Sequence, residues 1–205
     1  LWRYFDQVQW PKTLAVFHLL LLVSLLILAQ NGQHWMQQFT NVLYKDQVIY
    51  TSQSNYQHIA VTERYLSVDQ APILDLYLNG RLQFSGADEH VYHSMLVYPA
   101  MAASRRHDNI LLIGGGDGLA LRDVLRWEPK QVTLIDLDPE LVALFSNNGS
   151  DQSHSVKNQI NQQMTQLNQH AFDDPRVDVI FGDAFIEITS LISQGLKFDT
   201  IIIDL

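Results

Sequence analysis

The sequence predicts an α/β chain: a parallel sheet covered by helices, preceded by a small antiparallel β unit and an N-terminal transmembrane helix. Three observations carry this. Residues 13–29 form an uncharged apolar run. Continuous apolar strands alternate with helical segments after residue 105, the pattern of a sheet buried on both faces. The first of those strands runs straight into a glycine loop.

The apolar run, TLAVFHLLLLVSLLILA, is interrupted only by Thr13, His18 and Ser24. A spanning helix needs about 20 apolar residues, with a lower limit near about 17. Trp10 and Trp35 flank the run where interfacial aromatics are expected. A signal peptide is a poorer reading, because no small-residue cleavage site follows Ala29. Arg3 and Lys12 precede the run and the next basic residue is Lys45, so the local positive-inside count places the following domain outside. The chemistry deduced below places it in the cytoplasm instead, with earlier helices setting the topology.

Val48–Tyr50 and His58–Val61 read as short strands. Ile73–Leu78 ends at Asn79-Gly80, a hairpin signal, and Arg81–Phe84 is the returning strand. Ser85 or Asp88 is placed to cap a helix through His90, Tyr92, Met95 and Leu96. Strands follow at Asn109–Ile113, Val132–Ile135, Val177–Phe181 and Thr200–Ile203, and helices at Leu119–Trp127 and Pro139–Phe145. Residues 147–170 are rich in Asn, Gln and Ser and read best as a solvated loop or lid. Ile160, Met164 and Leu167 leave a short amphipathic helix as the alternative. The resulting division is 1–40, 41–84 and 85–205.

Composition narrows the function. Lys and Arg total 13 against 22 Asp and Glu, which argues against binding nucleic acid through phosphates. The absence of cysteine rules out disulfides and thiolate metal sites in this chain. The loop Gly114-Gly115-Gly116-Asp117-Gly118 has G-x-G-x-G spacing, not the dinucleotide fingerprint G-x-G-x-x-G. A tight strand-to-helix turn is its plainer reading; close backbone approach to an S-adenosyl ligand is the functional one.

Asp136 closes the second strand of the sheet, where a carboxylate accepts from both ribose hydroxyls. Asp138 reads as a cap before Pro139. Asp183 is either an acceptor for an adenine amino group, with Ala184 offering its amide, or an N-cap. Asp117 repels a ligand tail bearing a carboxylate and attracts one that is only cationic, as in decarboxylated S-adenosylmethionine. With Asp204, four carboxylates stand at the carboxyl ends of four parallel strands, the ligand edge of such sheets.

These residues, together with Tyr56-Gln57, Asn79–Gln83, Asp88-Glu89, Tyr92-His93 and Asp174–Val177, make the chain resemble the spermidine synthase family of polyamine aminopropyltransferases, from about Tyr56 to its end. The wording at Leu78–Gly80, Leu134–Pro139 and Asp183–Phe185 is closest to the bacterial branch with membrane helices before the catalytic domain. The resemblance implies a Rossmann-like, S-adenosylmethionine-type fold, an incomplete copy of it here, and a homo-oligomer in the inner membrane with several spans. It implies that Gln57, His93, Asp117, Asp136, Asp183 and Ala184 hold decarboxylated S-adenosylmethionine as co-substrate, with no prosthetic group. The same resemblance implies that Tyr92 contacts the diamine, that Gln83 lines the same cleft, and that Asp204 is the catalytic acid/base and a substrate contact.

Three departures accompany it: Ser94 stands where the family has Glu, the stretch from Gln57 to Gly80 is longer, and the chain stops at Leu205, before the family's Asp-Pro. The fragment is therefore expected to encode only part of the acceptor site. A metal pair at His90 and His93 lacks a third ligand at a recognisable spacing, so no metal is expected. Two other functions share the pattern: a methyltransferase, and a non-catalytic, membrane-coupled polyamine-binding protein.

Overall fold

The computed structural model describes residues 11–147 and 156–205. The chain forms two compact units, Leu1–Asp46 and Gln47–Leu205. In the first unit the described residues form helix α1 (Pro11–Leu43), which extends well beyond the apolar run. Its stretch Lys12–Gly32 is long and apolar enough to cross a membrane, and no residue of its most apolar 18-residue window is buried. Trp10 and the side chain of Trp35 lie outside the described residues.

The second unit opens with four antiparallel strands, β1 (Gln47–Gln53), β2 (His58–Arg64), β3 (Ile73–Leu78) and β4 (Arg81–Ser85), in the order β1-β2-β3-β4. The β3–β4 hairpin turns at Asn79 and Gly80, which have φ of 51° and 77°. Both central residues in the left-handed region is what a two-residue hairpin twist requires. The Asn79 side chain also accepts from the His58 amide at 2.9 Å, tying the turn to β2.

Helix α2 (Glu89–Ala103) follows. Asp88 takes the N-cap position but makes no side-chain cap bond. The parallel sheet is built from β5 (Asn109–Gly114), β6 (Gln131–Asp136), β7 (Val177–Phe181) and β8 (Thr200–Asp204), ordered β7-β6-β5-β8. β5 and β6 are buried almost throughout because helices cover both faces. Helices α3 (Leu119–Leu125), α4 (Pro139–Leu144), α5 (Val156–Leu167) and α6 (Ala184–Ser193) complete the unit. The expected α/β fold with a parallel and an antiparallel sheet is thus present.

Residues 156–167 correct the loop reading. They form a helix, because Ile160 and Met164 fall on one face and enter the core with Leu119, Leu141, Leu144 and Phe145. Ile59, Val61, Leu76 and Phe84 belong to the same cluster, so one core joins the antiparallel sheet to the helices beside the parallel one. Asn161 and Thr165 are also buried, and Asn161 donates to the carbonyls of Ala143, Leu144 and Ser146. A polar composition therefore coexists with burial: the amide side chains satisfy carbonyls at the end of α4 that have no partner within that helix.

Candidate active site

The carboxyl ends of the four parallel strands open onto a cavity of about 450 Å³. Its floor is the glycine loop after β5. Gly114 has φ of +79°, and a Cβ there would stand 1.9 Å from the Asp204 carbonyl oxygen. Only glycine allows that approach, and it draws Asp204 at the end of β8 against the loop. Gly114 and Asp204 are register partners in the sheet. A Cβ on Gly116 would lie 2.7 Å from Asp136 Oδ2, so a second glycine gives the Asp136 carboxylate its room.

Asp117, Asp136, Asp183 and Asp204 all line this cavity, with Ala184, Gln57 and Gln83. Leu78, Ile113, Ile135 and Leu141 supply apolar wall. Among the described residues that line it there is no Lys, Arg or His. The described lining is therefore acidic, with no basic side chain in the wall itself.

Each carboxylate is held differently. Asp136 Oδ1 accepts from the Asp138 amide at 2.8 Å. Burial pushes its pKa up, while the Asp138, Gly116 and Leu137 amides pull it down; burial wins. Asp117 is deeply buried and accepts from the Leu119 amide at 2.9 Å. Burial, reinforced by Asp204 and Asp136, pushes it up to about 6 despite the nearby His93. Asp204 is also raised by burial, with His93 and Tyr92 working against the shift. Asp183 caps α6 by accepting from the Phe185 amide at 2.8 Å, one of its two sequence readings, and it also lines the cavity.

Tyr92 and His93 do not form the cavity wall. They reach the site through the acids. Tyr92 Oη donates to Asp204 Oδ1 at 3.0 Å, and its ring meets His93 edge-on with centroids 5.0 Å apart. A nitrogen of buried His93 and one oxygen each of Asp117 and Asp204 all lie within 4.8 Å of one another. That spacing suits one shared cationic group. His90 is exposed, and His93 Nδ1 is engaged by Glu89, so the two histidines do not act as a pair.

Asp138 does more than the sequence suggested. Oδ1 caps α4 through the Glu140 amide at 3.0 Å, and Oδ2 accepts from Ser54 Oγ at 2.7 Å and Gln57 Nε2 at 2.8 Å. Ser52 Oγ donates to Glu140 at 3.2 Å. These bonds fix the loop between β1 and β2 at the cavity, with Gln57 as a wall residue. Two further contributors escaped the sequence reading. Asn168, fully buried, donates to the Asp117 carbonyl at 3.1 Å and steadies the glycine loop. Arg122 pairs with Glu89 beneath His93. No local signal marks either, since their partners are distant in the chain.

The spermine/spermidine synthase domain model matches residues 89–205. A polyamine aminopropyltransferase of Shewanella oneidensis is 49% identical over 205 residues, all of this chain and 35% of that protein. One from Oceanobacillus iheyensis is 40% identical over 177 residues, 85% of this chain and 30% of its own length. The chain thus spans about a third of these relatives. The crystal structure of spermidine synthase from Thermotoga maritima superposes with a TM-score of 0.58 at 27% identity, covering 77% of this chain and 47% of that one. A spermidine synthase in complex with the transition state analogue AdoDATO superposes with the same values. The matched domain begins at the Glu89 end of α2 and takes in the glycine loop and every strand-end carboxylate, and on this match the chain belongs to the spermine/spermidine synthase family.

Proposed function

We propose that the protein carrying this chain transfers an aminopropyl group from decarboxylated S-adenosylmethionine to putrescine, giving spermidine and 5′-methylthioadenosine. The observation that carries this reading is the cavity wall of four strand-end carboxylates with no lining cation. Both reactants are cations, and neither brings a carboxylate that such a wall would repel. A methyltransferase would have to seat the carboxylate of S-adenosylmethionine against buried Asp117.

The residues divide the work along the sheet edge. Asp136 takes the ribose hydroxyls, and Asp183 with the Ala184 amide takes the adenine edge. Asp117 takes the aminopropyl ammonium, and His93 stands beside it. Gln57 closes over the nucleoside, held by Asp138. Gln83 and Tyr92 flank the amine. The acceptor nitrogen attacks the aminopropyl carbon next to the sulfonium. The C–N bond forms as the C–S bond breaks, the bonding pair returns to sulfur, and neutral methylthioadenosine leaves. Asp204 accepts the proton that the attacking nitrogen sheds; its raised pKa makes it a better base than an ordinary carboxylate. Holding both cations on one acidic edge supplies the proximity that lowers the barrier.

In the intact protein, Asp204→Asn removes the base but keeps the shape. Methylthioadenosine production should stop while calorimetric binding of decarboxylated S-adenosylmethionine survives. Full turnover by the variant would sink the assignment. Tighter binding of S-adenosylmethionine than of its decarboxylated form would point to methyl transfer instead, and tight polyamine binding without turnover to a binding protein. We further propose that α1 anchors the protein in the inner membrane as one of several spans, with the catalytic unit in the cytoplasm, and that the intact protein is a homo-oligomer.

A further inference from the structure

A buried charge cluster lies against the site without lining it. Glu89, Arg122 and Asp123 are 8%, 6% and 1% exposed. Arg122 Nη1 and Nη2 donate to the two Glu89 oxygens at 2.8 and 3.0 Å, a bidentate pair. Arg122 Nε donates to Asp123 at 3.1 Å, and Nη1 also reaches the Leu167 carbonyl at 3.1 Å. Glu89 and His93 stand four residues apart on one face of α2. His93 Nδ1 is 3.0 Å from Glu89 Oε2 and 2.8 Å from the Glu89 carbonyl oxygen. Both of those atoms are acceptors, so Nδ1 must carry the proton. Nε2 is then the ring nitrogen left for Asp117 and Asp204.

We propose that Glu89, clamped by Arg122, is a positioning residue for the reaction: it locks His93 in one ring orientation with Nδ1 protonated and so presents Nε2 to the Asp117–Asp204 pair where the amines bind. This rests on the aminopropyl-transfer reading. A purely structural role explains the cluster less well, because a buried ion pair returns little net stability for its desolvation cost. The arrangement does have a use in catalysis. A carboxylate that accepts from one nitrogen of an imidazole fixes what the other nitrogen can do. Arg122 keeps Glu89 an acceptor at every working pH: burial raises the Glu89 pKa, but the bonds from His93 and Arg122 overcome this and bring it down to about 2. The acceptor cannot turn into a donor and release the ring.

The test is a double-mutant cycle on the intact protein, following methylthioadenosine from decarboxylated S-adenosylmethionine and putrescine, with Glu89→Gln, His93→Ala and the pair. If Glu89 acts through His93, Glu89→Gln lowers kcat by about tenfold, the order of one lost charge-assisted hydrogen bond. It then adds nothing in the His93→Ala background. Additive losses, or wild-type kcat in Glu89→Gln, would overturn the proposal. Nitrogen-15 spectra of the His93 ring provide a readout independent of turnover and of the variants' folding. The wild-type ring should be protonated at Nδ1, and a neutral ring protonated only at Nε2 overturns the proposal even in active enzyme. A wild-type protein that makes no methylthioadenosine but keeps the Nδ1 proton would refute the transfer reading and leave the positioning of His93 standing.

Discussion

Asp117 carries a conflict between stability and binding. Burial and two neighbouring acids raise its pKa to about 6, from an unfolded value near that of an ordinary aspartate. The folded state therefore binds this proton more tightly than the unfolded chain does. The resulting contribution to stability is fully present below the unfolded pKa and is lost as pH rises through about 6. At pH 8 the empty protein forgoes on the order of 3 kcal/mol at this one residue. A bound ammonium removes the conflict by supplying the missing charge. Asp117→Asn keeps the acceptor for the Leu119 amide and sheds the buried charge. Its ligand-free Tm should exceed the wild-type value at pH 8 and approach it at pH 4, while binding of decarboxylated S-adenosylmethionine is lost. In the wild type, that binding should weaken as pH falls through about 6, where Asp117 takes up its proton. A variant Tm at or below wild type at pH 8 would show that the carboxylate is not strained.

The glycine loop is one element with two failure modes. Gly114 lies in the left-handed region with no room between β5 and β8, so Gly114→Ala must push the strands apart and unfold the sheet edge. Gly116 has no positive φ; its added Cβ meets the Asp136 carboxylate at 2.7 and 2.9 Å and Leu141 at 3.1 Å. Gly116→Ala should therefore fold with near-native circular dichroism and a displaced Asp136. A misplacement on the order of 1 Å costs about a hundredfold. Affinity for methylthioadenosine, measured by calorimetry, should fall by that order, and an unchanged affinity would remove Asp136 from the nucleoside site. The loop was legible in the sequence because its chemistry is local: an apolar strand, five residues, a helix. So were the strand-end acids, each fixed in place by the strand that precedes it. Helix α5 was not, because its Asn and Gln residues resemble a loop until tertiary contacts show Asn161, and Asn168 just beyond its end, satisfying carbonyls from other segments. Nor was the double role of Asp138, whose partners Ser54 and Gln57 lie 84 and 81 residues away.

For the whole molecule, the proposal that α1 spans a membrane sets two physical arguments against each other over the side on which the catalytic unit would stand. The Lys12–Gly32 stretch of α1 is 21 residues, about 31 Å at helical rise, which matches a hydrocarbon core of about 30 Å. No residue of its most apolar 18-residue window is buried within this chain. Arg3 and Lys12 before it favour an inside N-terminus and an outside catalytic unit. Two charges are a small bias, which the further spans proposed above would outweigh. The proposed reaction argues the other way, because it would draw its sulfonium nucleoside from inside the cell. Val68 tests this: it is 99% exposed, in the loop between β2 and β3, and this chain has no cysteine of its own. A Val68→Cys variant of the intact protein, in a background without other cysteines, can be treated with a membrane-impermeant maleimide. Labelling should require permeabilised cells, and the protein should stay in the membrane fraction through alkaline extraction. Labelling in intact cells would place the acidic cavity outside and favour capture of external polyamines over their synthesis. Release by alkali would show that α1 packs against protein rather than lipid.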